Sequence, residues 1–70
     1  MQLTDLEYKQ FWSEVSRKLL IKSDLRTGQV MYNTLYNIQP LVAESIGGTE
    51  NDPFFRDDRI GAFIKAIRPK

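Results

Sequence analysis

Apolar side chains recur at helical spacing in this chain, and no stretch alternates with the two-residue period of a strand. Tyr8, Phe11, Trp12, Val15 and Leu19 fall three and four residues apart, and Ile60, Phe63, Ile64 and Ile67 repeat the pattern near the other end. Residues so spaced share one face of a helix, which must then be buried against another helix. The chain has 70 residues, which fits one domain. A domain of this size buries only about 60% of its unfolded surface, so its packing has to be efficient. There is no cysteine and no histidine, so neither a disulfide nor a zinc site built on those residues can help. The expected fold is all-α: a compact single-domain bundle of about four short helices over residues 1–70.

Start and stop signals divide the chain. Thr4 and Glu7 form a T-x-x-E capping box, and the first helix is expected over residues 5–20. Acidic Asp5 and Glu7 precede basic Arg17 and Lys18, the order the helix dipole favours. Ser23 or Asp24 can cap a second helix over residues 25–37. Pro40 suits the first turn of a third, over residues 40–46 with Leu41, Val42 and Ile46 apolar, and Gly47-Gly48 ends it. Asp52-Pro53 reads as another cap followed by a first-turn proline, and one of Phe54 and Phe55 should be a buried anchor. Asp57 or Asp58 is expected to cap the last helix, and Pro69 closes it.

The second helix carries two stripes. Gly28, Met31, Leu35 and Ile38 make an apolar face; Arg26, Gln29 and Asn33 make a polar row beside it. A glycine inside a helix costs about 1 kcal/mol against alanine, which a close helix crossing would offset, the alternative being the close approach of a ligand backbone or phosphate. The row has two readings. It fastens the loop of residues 52–58, with Asn33 bonding loop backbone and Arg26 meeting Asp57 or Asp58, or it is an exposed recognition face.

These residues form a longer pattern. Arg26-x-Gly28-Gln29-x-x-x-Asn33-x-Leu35, followed by Asp52-Pro53-Phe54-Phe55-x-Asp57-Asp58-Arg59-Ile60, resembles a family of small uncharacterised proteins from bacteria and their phages. That family reads R-x-G-Q-x-x-x-N-x-L, then a segment like D-P-F-Y-x-D-D-S-R-I. Here Phe55 stands where tyrosine is frequent, and Arg59 follows Asp58 directly. The match covers about residues 25 to 64. It implies a compact helical fold and no activity, so no functional residue is carried over from it.

Function is constrained more by exclusion than by motif. The absence of histidine removes the usual general base, no nucleophile motif is present, and so short a chain leaves little room for a deep cleft. A non-enzyme without a cofactor is expected. Glu50, Asp52, Asp57 and Asp58 could ligate a hard cation, but their spacing is not that of an EF-hand and capping explains them better. Apolar runs such as Leu19-Leu20-Ile21 are three residues long, far short of a membrane span, and the start lacks a signal-peptide pattern. A cytoplasmic protein with no membrane partner is expected.

Two kinds of partner remain. Tyr32 and Tyr36, with Met31, Phe54 and Phe55, suggest an interface with another protein or a second copy. Arg17, Lys18 and Lys22, with Arg26 nearby and Lys65, Arg68 and Lys70 at the end, are candidate phosphate contacts for a nucleic acid. The formal net charge is only +1, and residues 40–46 contain no basic side chain to read bases, so nucleic acid ranks second.

Overall fold

A computed structural model describes residues 2–21 and 24–69. Lys22, Ser23 and Lys70 lie outside the described residues, and with them the Ser23 cap and the Lys22 and Lys70 phosphate contacts. Thr4 and Glu7 start the first helix reciprocally. The Glu7 amide donates to Thr4 Oγ1 at 3.2 Å, and the Thr4 amide donates to Glu7 Oε1 at 2.9 Å. The result is α1, Asp5–Leu20. It is followed by α2, Thr27–Ile38, by α3, Pro40–Ile46, by a single 3-10 turn at Asp57–Arg59, and by α4, Ile60–Ile67. The described residues contain no strand.

α2 is the hub, packing against α1, α3 and the 3-10 turn. α1 and α2 run antiparallel: Glu7, in the first turn of α1, accepts from Gln39 beyond the end of α2 at 3.1 Å, whereas Lys18 reaches Thr34. α4 closes the other side. Phe63 meets Phe11 with ring centroids 6.0 Å apart, and the Leu3 amide donates to the Ile67 carbonyl at 3.0 Å. Phe11, Val15, Met31, Leu35, Val42, Ala43, Ile46, Phe63 and Ile67 share one core. A compact all-α bundle is therefore formed, with every helix contributing buried side chains.

Several details differ from the sequence expectation. α2 begins at Thr27 with Arg26 as its N-cap, so Asp24 does not cap it. Residues 53–56 are not helical, and Asp57 and Asp58 do not cap α4 through their side chains. Leu19, read as part of the apolar stripe of α1, is exposed, as is Leu41 in α3. α4 meets Leu3 just before α1 and Phe11 within its first half, and the α2–α3 corner meets Glu7. The core side of α1 accordingly ends at Val15.

The cap makes stability depend on acid. Its hydrogen bond from the Thr4 backbone, helped by Gln39, holds the Glu7 carboxyl below its ordinary value of 4.5. A lowered carboxyl stabilises the fold above the unfolded-state value and loses that contribution as pH falls through the folded value. Denaturant melts from pH 6 to pH 3 should therefore show a loss below about pH 4.5 that Glu7→Gln diminishes. Thr4→Ala should cost about 1 kcal/mol at neutral pH.

Candidate interaction surface

The residues of the longer pattern meet at the start of α2, where they clasp the loop. The first amides of a helix have no partner within it. Here the Gly28 amide donates to Asp57 Oδ1 at 3.0 Å, and the Arg26 amide donates to Gln29 Oε1 at 3.1 Å. Arg26 reaches across: Nη2 donates to the Phe54 carbonyl at 2.5 Å, and Nε lies 3.9 Å from Asp57 Oδ1. Gly28 is buried, and a Cβ on it would collide with the Pro53 carbonyl oxygen and stand 2.8 Å from Asp57 Oδ1. The glycine therefore admits loop backbone and a capping carboxylate, not a second helix as the close-crossing reading expected.

The loop also braces itself. Asp52 accepts from the Gly48 amide at 2.8 Å and from the Phe54 amide at 2.9 Å. Asp58 takes both Nε and Nη2 of Arg56, at 3.0 and 2.7 Å, and this hydrogen-bonded pairing holds its carboxyl below the ordinary range. Arg59 donates to the Thr49 carbonyl at 3.3 Å. Gly48 takes a φ of +78°, the left-handed conformation glycine adopts freely. Among the described residues, no group of three acidic side chains is placed to hold a metal ion. Pro53 is the fully buried anchor; Phe54 is half-buried, and Phe55 is 78% exposed. The expected phenylalanine anchor is corrected accordingly.

Asn33 takes no part. It is exposed and its side chain has no hydrogen bond to another described residue, so the expected bond from Asn33 to the loop is absent. The register explains this. Gly28 and Tyr32, four residues apart, lie on the side of α2 that the loop meets, and Asn33 is turned about 100° away from Tyr32. Of the polar row, the structure brings Arg26 to Asp57 and leaves Gln29 capping locally and Asn33 facing solvent.

The tyrosines separate as well. Tyr32 is half-buried, donates its hydroxyl to the Ala43 carbonyl at 3.0 Å, and packs edge-on against Phe54 with centroids 5.9 Å apart. Burial pushes its phenol up, with the charge of Asp52 adding to this. Tyr36 is 45% exposed.

The basic residues of the first connection are similarly divided. Arg17 pairs with Glu14 at 2.5 Å, Lys18 donates to Thr34 Oγ1 at 3.3 Å, and Arg26 belongs to the clasp.

Exposed apolar side chains concentrate elsewhere. Of eight large hydrophobic residues exposed among the described ones, four lie at one end of the α1–α2 pair: Leu19, Leu20, Ile21 and Leu25. Leu20 is 87% exposed and Ile21 64%. One signal in the sequence pointed here. Three successive apolar residues span about 200° of a helix, so they cannot all face one core. Thr34, the buried polar side chain of α2, was also missed; its hydroxyl donates to the Val30 carbonyl at 2.7 Å.

Comparison with protein-family models, with curated proteins and with solved structures finds no match.

The clasp generates a stability test. Gly28→Ala should destabilise the fold by about 1–3 kcal/mol, because the obstacle is backbone and not a flexible side chain. Asp57→Ala should cost about 1 kcal/mol through the lost cap. Asn33→Ala should lie within about 0.5 kcal/mol of the parent. Urea denaturation of the three variants measures all of these.

Proposed function

We propose that this chain is a small non-enzymatic interaction module that docks on another protein through the apolar end of its α1–α2 pair. The carrying observation is the exposure of Leu19, Leu20, Ile21 and Leu25 within seven residues of chain. Exposed apolar side chains occurring singly are ordinary, whereas a cluster of them favours a partner. We also propose membership of the small bacterial and phage family whose pattern the chain resembles. The clasp supports this by giving Arg26, Gly28, Gln29, Pro53 and Asp57 a joint structural reason to occur together. No helix among the described residues is long and apolar enough to cross a membrane.

Affinity capture with the parent chain, Leu20→Gln, Ile21→Gln and Phe55→Gln tests the surface. A specific partner should be retained by the parent and by Phe55→Gln and lost by the two α1-end variants. All four should melt alike, since exposed substitutions change stability by about 0.5 kcal/mol or less. Sedimentation of the purified chain should show a monomer. An identical set of captured proteins for all four chains would dismiss the surface.

A further inference from the structure

A second feature is independent of the apolar end. An open groove of about 420 Å³ lies between α1 and α2, within the range of small-molecule sites. Lys18 is half-buried at its wall and donates to the hydroxyl of Thr34, itself only 1% exposed. That hydroxyl hydrogen is already given to the Val30 carbonyl, so Thr34 acts toward Lys18 purely as an acceptor. An ammonium has three N–H donors, and Lys18 has no carboxylate partner among the described residues. Lys9 also lines the groove and has no ion pair there. The acid of the groove, Glu14, is held by Arg17. Its free charge is therefore positive. The side chains of Gln10, Ser13 and Asn37 add neutral hydrogen-bonding groups with no protein partner among the described residues, and Ile38 supplies an apolar wall.

We propose that this groove binds a small oxyanion-bearing ligand, a carboxylate or a phosphate ester, whose anionic group is held by Lys18, with Lys9 adding positive charge farther along the groove. Thr34 is a positioning residue. It fixes the ammonium at the wall of the groove, and Val in its place would fill similar volume without an acceptor. Neutral amides and hydroxyl along the groove suit the polar body of such a ligand, and Ile38 its carbon skeleton.

Amide NMR titration of the full chain with inorganic phosphate, and separately with succinate, at constant ionic strength tests the assignment. Saturable shifts should concentrate at the groove residues, with Kd of about 1 mM for so small a probe. Saturation by one anion and not the other tells phosphate from carboxylate, and either supports the site. Lys18→Met should raise Kd about tenfold, the loss expected for one charge-assisted hydrogen bond. Thr34→Val should weaken binding likewise and Thr34→Ser should restore it, which a purely structural threonine would not do. Lys9→Met, at an exposed position, decides the matter if Lys18→Met does not fold. Shifts that stay linear and spread over all basic residues, no saturable shift with either anion, or an unchanged Kd in the folded lysine variants would overturn the proposal.

Discussion

The contact between the first turn of α2 and the loop that precedes α4 is the constraint on which the rest of this structure depends. α2 supplies five buried residues and touches α1, α3 and the 3-10 turn. Its start must therefore be placed accurately, yet the side chain of its N-cap residue, Arg26, accepts no bond from the first-turn amides, and Gln29 serves only the Arg26 amide. Asp57, twenty-nine residues further along the chain, provides the missing acceptor at Gly28. The same approach puts the Pro53 carbonyl where a Cβ would otherwise stand. Helix capping, loop closure and the positioning of α4 are thus a single packing event.

This arrangement shows how a short chain without disulfides orders a long irregular segment. Backbone groups drawn inward need hydrogen-bond partners. Asp52 serves two of them, Arg26 serves the Phe54 carbonyl, and Arg59 serves the Thr49 carbonyl. Charged side chains supply these bonds near the surface, where their heads keep partial contact with water and avoid the full cost of burial. Asp52, Asp57 and Asp58, which resemble part of a cation site in sequence, are occupied as caps and ion pairs.

The two candidate sites follow from where α1 lacks cover. α4 and the α2–α3 corner meet the first half of α1 and the residues just before it. Its last turn carries exposed large aliphatic side chains, and from it Lys18 makes the long reach to Thr34 of α2. The first produces an apolar surface and the second a cationic groove. They are distinct in chemistry, and one could be occupied without the other.

The sequence by itself determined the helical class, the span of α1 and of α3, and the buried positions Phe11, Val15, Met31, Leu35, Phe63 and Ile67. These are local properties: a reciprocal cap at Thr4 and Glu7, a first-turn proline at Pro40, and apolar spacing matched to the helical period. It also placed Arg26 near an acidic partner, because a polar row and a carboxylate-rich loop in one small domain have few places to meet. Tertiary structure alone decided the remainder. Which aspartate reaches Gly28, whether Asn33 or Arg26 meets the loop, and whether Pro53 or a phenylalanine is the anchor all depend on where the loop crosses α2. The exposure of Leu19 likewise depends on where α4 and the corner cover α1. Helical periodicity assigns a residue to a face, but how far along that face a neighbouring helix extends is set by contacts between residues distant in the chain.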